Sequence, residues 1–348
     1  MKAERKGDGV VASAAAVSPG YYALVGSQFW RRRVNRVALA TIALIVLVAL
    51  LADFLASDKP ILLYFRGEFF ILPNLFRYPK LQIYDMRLLL DAMQPGDWAV
   101  NPIVPWGYNT HDLSQVLQGP SEWHWLGTDA SGRDVLSRII HGSRVSLAVG
   151  VMAVTLLVGI GVLLGSLAGY FGGFVDGLLM RIVEIVHSLP TILILVVMLA
   201  VIAPEGWGAV LAIMGVIGAV GWTSVARLIR GEILRVKTLD YVTASRAQGA
   251  SNTRVILRHV VPNSISPVLV AATFAMATAI MWEGALSFLG FGIPADMASW
   301  GGLLQEVRGN PSAWWIAIFP GLALFVTVTV YNIAGEGLRD AIDPRLRT

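Results

Sequence analysis

The stretch DYVTASRAQGASNTRVILRHVVPN, Asp240–Asn263, is a polar segment between two long apolar runs. Asp240 suits a helix N-cap, Gly249 suits the C′ position after a helix, and Ser251 suits a second N-cap. The spacing therefore predicts two short helices that are joined by a bend and stopped by Pro262. Isolated helices shorter than roughly 12–15 residues are marginal in water, so we expect this pair to dock against a partner.

The composition indicates a membrane protein. Of the 348 residues, 55% are hydrophobic and only 14% are charged, and the mean hydropathy is +0.65. These values are too apolar for an ordinary soluble domain and predict an all-α polytopic membrane protein. The absence of Cys excludes disulfides, Cys-ligated zinc and thiol catalysis. Nucleic-acid binding could account for the net charge of +4, but topology explains it better, since the basic residues cluster beside apolar runs.

Six apolar runs are long enough to cross a bilayer, and they divide the chain into segments. We expect an N-terminal tail (1–36), a first transmembrane helix (37–56), an extracytoplasmic insertion (57–142) ending in an interfacial helix, a core of five helices (143–337) that contains the polar loop 230–263, and a C-terminal tail (338–348). A cleaved signal peptide is the alternative for the first run, which is long for that purpose and is followed by more spans.

Basic residues set the topology. Arginines 31, 32, 33 and 36 precede the first run, and the loop 230–263 is rich in Arg with few acids. Basic flanks stay in the cytoplasm, so both termini and this loop are predicted to be cytoplasmic.

Small residues and a few charges mark the spans. Gly161, Gly165 and Gly169 lie four residues apart, which predicts close helix packing in lipid. A short Gly-rich turn is expected at Tyr170–Asp176.

The third span then carries three ionisable residues, Arg181, Glu184 and His187, before Pro190. Arg181 and Glu184 could form a structural pair, or Glu184 and His187 could line a pathway or gate.

An amphipathic segment precedes the second span. Val135, Leu136, Ile139 and Ile140 alternate at helical spacing with polar residues, which predicts a helix lying in the membrane interface.

Several catalytic motifs are absent from the sequence. No G-x-x-x-x-G-K-[ST] phosphate loop occurs, and no H-E-x-x-H or G-x-S-x-G motif is present. The five His residues are scattered, so neither a metal site nor a nucleophile–base pair of an intramembrane hydrolase is indicated. We therefore expect that the chain is not an enzyme, that it binds no cofactor, and that it takes energy from a partner or a gradient.

The polar loop resembles the cytoplasmic "EAA" loop of bacterial ABC-importer permeases. The matching positions are Thr243, Ala244, Ser245, Gly249, His259, Val261 and Pro262. Three side chains of the family pattern are altered, whereas the Ala, Gly and Pro remain. The resemblance implies that the loop, including Asp240, is a coupling helix docked in a groove of an ATPase subunit. An amphipathic loop lying on the membrane surface is the alternative.

The string HWLGTDASGRDVLSRIIHGSRVSL, His124–Leu147, resembles the segment before the second span in the "C" subunit of dipeptide and oligopeptide importers. The matching residues are Gly127, Thr128, Asp129, Gly132, Arg133, Asp134, Ser137, Arg138, Gly142, Arg144 and Ser146. The strings EGALSFLGFGIP, which starts at Glu283, and NIAGEGLRDAIDPRL, which ends past Pro344, resemble the outer-mouth segment and the tail of the same branch. Ser57-Asp-Lys-Pro60 is similar to the microcin C-type members. For Glu283, a helix-end cap and a gate are equal alternatives.

The resemblance implies a type I ABC-importer permease with six transmembrane helices in the bacterial inner membrane. It also implies a sister permease as heterodimer partner, two ATPases that use the ATP, and an extracytoplasmic substrate-binding protein. Di- or oligopeptides are the expected cargo, with nickel or a microcin C-like antibiotic as alternatives. A gradient-driven transporter or channel using Glu184 and Glu283 is the competing function, but it leaves the cytoplasmic helix pair unexplained.

Overall fold

The computed structural model describes residues 21–203 and 205–343. The first 20 residues of the predicted N-terminal tail and the end of the C-terminal tail, with Pro344, lie outside the described residues. The described helices and strands are α1 (Tyr21–Arg31), α2 (Arg33–Leu50), α3 (Ala52–Leu55), β1 (Leu62–Phe65), β2 (Glu68–Ile71), α4 (Met86–Ala92), β3 (Trp98–Val100), α5 (Val135–Phe171), α6 (Gly173–His187), α7 (Thr191–Ile202), α8 (Trp207–Val236), α9 (Asp240–Ala247), α10 (Asn252–Val255), α11 (Val261–Ser264), α12 (Ser266–Leu289), α13 (Trp300–Glu306) and α14 (Trp314–Ile342).

The membrane-spanning part agrees with the six predicted spans. In the described chain, five single helices are long and apolar enough to cross a bilayer: α2, α5, α8, α12 and α14. The remaining span is the pair α6 and α7, which meet at an angle of 89°. The break coincides with Pro190, which has no N–H to donate and disfavours helical geometry in Leu189. The third span, expected as one run, is therefore a broken one.

Helices α5 and α8 pack closely at the centre of the fold. A Cβ atom on Gly165 would lie 2.4 Å from the carbonyl oxygen of Ala226, and one on Gly161 would lie 2.6 Å from Cβ of Val225. Gly169 lies similarly close to Ile233. The predicted role of this glycine row in close packing is confirmed, and in lipid such contact is what holds helices together.

Helix α5 is longer than the sequence suggested. It runs without interruption for 37 residues, so the expected interfacial helix and the second span are one helix, about 55 Å long. Ser137, Arg138 and His141 do not face water, as an interfacial helix would require, but are buried. Arg138 bonds to the carbonyls of Ala295 and Met297, and His141 packs against Tyr108. At the other end, Gly172 (φ +68°) alone separates α5 from α6, so the expected turn at Tyr170–Asp176 is a single residue.

The insertion contains a small antiparallel sheet with the strand order β2-β1-β3. Leu63 pairs with Phe70 on one side and with Ala99 on the other. Leu63, Phe65, Phe70, Leu81 and Leu89 form the buried core of this unit, and a 3-10 turn at Pro79–Leu81 contributes to it. The sheet was not predicted, since its strands are only three or four residues long.

The start of the described chain packs against its end. Helix α1 occupies part of the segment predicted as a tail, and α1 and α2 both contact α14. Arg32 forms a salt bridge with Asp340, and a Cβ on Gly337 would lie 2.5 Å from Cγ of Asn35. The first span begins at Arg33, four residues before the expected boundary, and continues past a break at Leu51 into α3.

Candidate functional site

The predicted loop 230–263 starts too early, since its first seven residues continue α8 to Val236. The rest, residues 237–263, folds as the expected pair of helices, and we call these residues the island. Gly249 ends the first helix with φ +81°. Its N–H bonds to the carbonyl of Arg246 at 2.9 Å, and the N–H of Ala250 bonds to the carbonyl of Ser245 at 3.2 Å. This is a Schellman ending, which needs the left-handed backbone that Gly adopts without strain. The predicted bend is thus confirmed at Gly249.

The second helix of the island begins where the sequence predicted. The Ser251 hydroxyl accepts a hydrogen bond from the N–H of Arg254 at 3.4 Å. The predicted N-cap at Asp240 is wrong, because Leu239 takes that position and its carbonyl accepts bonds from Val242 N and Thr243 N. Asp240 is instead the first helical residue, where a carboxylate still favours the helix dipole.

Pro262 does not stop the second helix, contrary to the prediction. Helical structure continues through α10, a π-helical segment at Ile256–Val260, and α11, which ends at Ser264. The proline ring would clash with the carbonyl four residues earlier in a regular α-helix, and the wider π turn relieves that contact. The Asn263 amide donates to the carbonyl of His259 at 2.6 Å and supports this turn.

The island is fastened to the end of the α5–α8 pair. Val242, Val255 and Val260 are buried in a cluster with Ile229, Ile233 and Val236. The Tyr170 hydroxyl bonds to Oδ1 of Asn252 at 2.8 Å, and the Arg246 guanidinium lies 4.8 Å from the centre of the Tyr170 ring. Movement of the island is therefore tied to movement of the C-terminal end of α5.

The outward side of the island is exposed and partly apolar. Leu257 is 66% exposed and Tyr241 is 41% exposed. Of the residues that the sequence nominated for coupling, those on the surface are Asp240, Thr243, Ala244, Gly249 and Pro262, whereas Ser245 and His259 are half-buried. Arg246, Arg254 and Arg258 add positive charge to this surface. Apolar side chains rimmed by charge are typical of a protein-binding surface.

A second group of nominated residues forms a buried ionic network at the other end of α5. The Arg133 side chain donates to Oδ2 of Asp129 at 2.7 Å and to Oε1 of Glu306 at 3.1 Å. Nε of Arg138 lies 3.5 Å from the same Asp129 oxygen. Nη2 of Arg138 donates to the carbonyl oxygen of Ala295 at 3.3 Å and to that of Met297 at 3.2 Å. The network joins the segment before α5 to the loop before α13.

Burial changes the acidity of this network. The pKa of the Glu306 carboxyl is raised, first by desolvation and then by the neighbouring negative charge of Asp129. The hydrogen bond from the Ala130 N–H and the charges of Arg138 and Arg133 oppose the shift. Glu306 was not nominated from the sequence, because its partners lie far away in the chain. The segment between the last two spans also contains Asp296, so no local pattern singles out Glu306.

The remaining nominated residues near α5 have structural contacts. A Cβ atom on Gly127 (φ +80°) would lie 2.6 Å from the carbonyl oxygen of Gln118. A Cβ atom on Gly132 (φ +73°) would lie 2.2 Å from the carbonyl oxygen of Asp112. Asp134 caps α5 and also bonds to Nδ1 of His124 at 2.9 Å. Arg144 donates to Oδ2 of Asp53 at 3.0 Å and so ties α5 to α3.

The three candidate pathway or gate residues are not brought together. Glu184 pairs with Arg181 at 3.0 Å, with both side chains mostly exposed. Nε2 of His187 lies 2.9 Å from Nη2 of Arg227. Glu283 is fully buried and accepts hydrogen bonds from Ser146 at 3.0 Å and Ser287 at 2.9 Å. Glu184 and Arg181 thus form the structural pair that was one of the two alternatives, and Glu283 has the contacts of a structural residue.

A cavity of about 590 Å³ lies between α5, α7, α8 and α12. Most of its lining is apolar. Within the described chain no carboxylate lines it, and its polar side chains are His187, Thr191, Thr223, Ser224 and Thr278. No cluster of three or more His, Asp or Glu with metal-binding geometry occurs among the residues that the structure describes. The cavity can therefore accommodate a small molecule but offers few directional contacts.

Comparison with known proteins gives consistent matches. The family described as "Binding-protein-dependent transport system inner membrane component" matches residues 161–348. The dipeptide transport system permease protein DppC of Alkalihalophilus pseudofirmus is 40% identical over 242 residues, 69% of this chain and 78% of that protein. The oligopeptide transport system permease protein OppC of Bacillus subtilis is 40% identical, with the same shares. The glutathione transport system permease protein GsiD of Pectobacterium atrosepticum is 41% identical over 69% of this chain and 79% of that protein.

Proposed function

The chain belongs to the family of binding-protein-dependent transport system inner membrane components, and we propose that it is the permease subunit of an ATP-driven importer for di- or oligopeptides. Family membership makes it a multi-pass transport protein of the inner membrane. Peptide cargo is supported by relatives named for dipeptides, oligopeptides and glutathione. Nickel and microcin C-like antibiotics have less support, since none of these relatives is named for them.

The island is the site at which we expect ATPase subunits to act. The observation that carries this proposal is the island's combination of buried anchors and an exposed surface. Val242, Val255 and Val260 hold it to the membrane helices, while Leu257 and Tyr241 are exposed. Helices this short gain stability from contact on their free side. An ATPase seated there would push on the end of α5 through Tyr170 and Asn252.

Three kinds of partner complete the proposed assembly: a sister permease, two ATPases and an extracytoplasmic binding protein. The apolar cavity beside α7 and α12 suits half of a pathway whose other half is supplied by the sister permease. Its lining contributes few directional contacts, so selection of the cargo falls mainly to the binding protein. Nucleotide-driven approach of the ATPases would bring two islands together and switch the pathway between inward-facing and outward-facing states.

Charge supports one orientation. The basic residues around the start of α2 and in the island, with few acids among them, favour a cytoplasmic location for both segments and for the C-terminus. The insertion, at the opposite end of α5, then lies outside. The gradient-driven alternative is not supported, since Glu184 and Glu283 already have structural partners.

The docking proposal is tested by changing the conformation at Gly249. A Cβ at this position would meet nothing within 4 Å, so any effect comes from the φ of +81°. Gly249→Val forces a β-branched residue into left-handed geometry, at a cost of about 1–2 kcal/mol or more. We expect the variant to insert normally but to lose the ATPases during purification of the complex.

Gly249→Asn is the matched control, because Asn tolerates left-handed geometry. It should retain most of the bound ATPase and most of the transport. Equal ATPase retention in Gly249→Val and wild type would refute the docking proposal.

A further inference from the structure

Four arginines lie within six residues where the chain enters its first span: Arg31, Arg32, Arg33 and Arg36. Arg32 is extended, with φ −81° and ψ 124°, and it separates α1 from α2. Because the span begins at Arg33, these side chains lie at one surface of the bilayer. We call the four residues the basic junction.

Three cations of the basic junction have no counter-charge among residues 21–203 and 205–343. Arg32 is the exception, since it forms the salt bridge with Asp340. Arg31, Arg33 and Arg36 are exposed and make no ion pair or side-chain hydrogen bond to another described residue. Arg33 and Arg36 lie three residues apart on one helix, so their charges repel each other. The junction therefore favours an anionic partner.

The end of α14, which packs beside the junction, does not neutralise it. Residues 336–343 carry three carboxylates and one guanidinium. With the four arginines of the junction, this region has five guanidiniums against three carboxylates, a net charge of +2. Residues 1–20 and 344–348, which lie outside the described chain, contain five basic and two acidic side chains. They add positive charge, so the protein does not supply the missing anion.

Apolar side chains are exposed next to these cations. Trp30 is 57% exposed, Val34 is 60% exposed and Val37 is 65% exposed. Arg33 and Val37 lie four residues apart and so share one face of α2. Trp is enriched at the level of the lipid headgroups, where its ring meets both water and hydrocarbon. A partner that covers this surface has to combine negative charge with apolar chains.

We propose that the basic junction binds an anionic phospholipid, with its phosphate on Arg31, Arg33 and Arg36 and its acyl chains against Val34 and Val37. A guanidinium binds phosphate through two parallel hydrogen bonds. A free phosphate ion would leave the valines uncovered, and a zwitterionic lipid carries a cation of its own that the arginines repel. Clusters of basic residues beside a span are typical of binding sites for anionic lipids.

This site goes beyond the transport function proposed above, because it involves neither the island nor the apolar cavity. Helix α1 packs against α14, and Arg32 pairs with Asp340. A lipid that neutralises the remaining arginines would remove their mutual repulsion. It would therefore stabilise the contact between the start of the described chain and its last helix.

The test is native mass spectrometry of the full chain in detergent, titrated with phosphatidylglycerol or with phosphatidylcholine of the same acyl chains. An arginine near a membrane surface contributes about fivefold to the binding of anionic lipid, so three of them contribute about a hundredfold. We expect wild type to bind the first phosphatidylglycerol more tightly than phosphatidylcholine by about this factor. The triple variant Arg31→Gln/Arg33→Gln/Arg36→Gln should bind the two lipids alike.

The matched control is Arg66→Gln/Arg77→Gln/Lys80→Gln, which removes three exposed cations from the insertion and leaves the basic junction intact. It should keep the preference for phosphatidylglycerol. Arg31→Lys/Arg33→Lys/Arg36→Lys retains the charges and should keep most of the preference, which separates a loss of charge from a loss of folding. Gly249→Val should bind both lipids as wild type does, so failure of lipid binding and failure of ATPase docking remain distinguishable.

Three results would overturn the proposal. The first is equal affinity of wild type for the two lipids. The second is an unchanged preference in the triple Gln variant, or the same loss of preference in the insertion control. The third is displacement of phosphatidylglycerol by glycerol phosphate, which carries the phosphate without acyl chains and would assign the junction to a free anion.

Discussion

Arg133 and Glu306 lie 173 positions apart in the chain, yet Nη2 of Arg133 lies 3.1 Å from Oε1 of Glu306. The Arg133 side chain also donates to the buried carboxylate of Asp129. One guanidinium therefore fastens the segment before α5 to α13. Both attached acids are largely or fully buried, so the network depends on Arg133 remaining charged and in place.

Arg133→Met should destabilise the permease by about 3 kcal/mol, because it leaves buried carboxylates without their main counter-charge. Thermal unfolding of the purified chain in detergent measures the change. Arg66→Met removes an Arg from an exposed turn of the insertion and should have little effect. Unfolding temperatures that match for wild type and Arg133→Met would contradict the role of the network.

Glu306 should make stability depend on pH. Its pKa is raised above the ordinary 4.5 by burial and by Asp129, so the folded protein holds this proton more tightly than the unfolded chain. The resulting stabilisation is present below the unfolded pKa and is lost as the pH rises through the folded pKa. Glu306→Gln lacks this dependence. The unfolding temperature of the variant minus that of wild type should therefore increase with pH and then level off. A difference that is constant, or that falls, would contradict the raised pKa.

Gly165→Ala should weaken the contact between α5 and α8. The added Cβ would lie 2.4 Å from both the Ala226 carbonyl oxygen and Cγ2 of Ile229, and overpacking of this kind costs about 1–3 kcal/mol. Gly159→Ala, in the same helix with nothing within 4 Å, should be neutral or slightly stabilising, since Ala favours helix over Gly. Similar yields and unfolding temperatures for the two variants would show that the glycine row is not needed for packing.

Glu283 should tolerate loss of charge but not loss of its hydrogen-bonding atoms. Hydroxyl groups can rotate to donate or accept, so Ser146 and Ser287 can still pair with the amide in Glu283→Gln. Glu283→Leu leaves both hydroxyls buried without that partner, at about 1–3 kcal/mol each. We expect transport and stability to survive in the Gln variant and to fall in the Leu variant. A gate that requires ionisation would instead lose transport in Glu283→Gln.

Features that depend on neighbouring residues were predictable from the sequence. The row at Gly161, Gly165 and Gly169 reflects a helical period, and the bend at Gly249 reflects a local backbone requirement. The six spans follow from the lengths of the apolar runs. In each case a few consecutive residues contain the whole physical cause.

Features that depend on distant contacts were not predictable. The break at Pro190 could have been a kink of any size, and the angle of 89° depends on how α7 packs against α8. Pro262 was expected to end a helix, but the chain absorbed it in a π turn. The partnership of Arg133 with Glu306 joins two segments that only the folded chain brings together.

Helix α5 has no proline and no break between the ionic network near Arg138 and the contact of Tyr170 with Asn252. A rod of this kind cannot tilt at one end and stay still at the other. The arrangement of the ionic network and the position of the island are therefore two readings of a single mechanical coordinate. Under the proposed function, force applied by an ATPase at the island would reach the far end of α5 as a rigid-body swing.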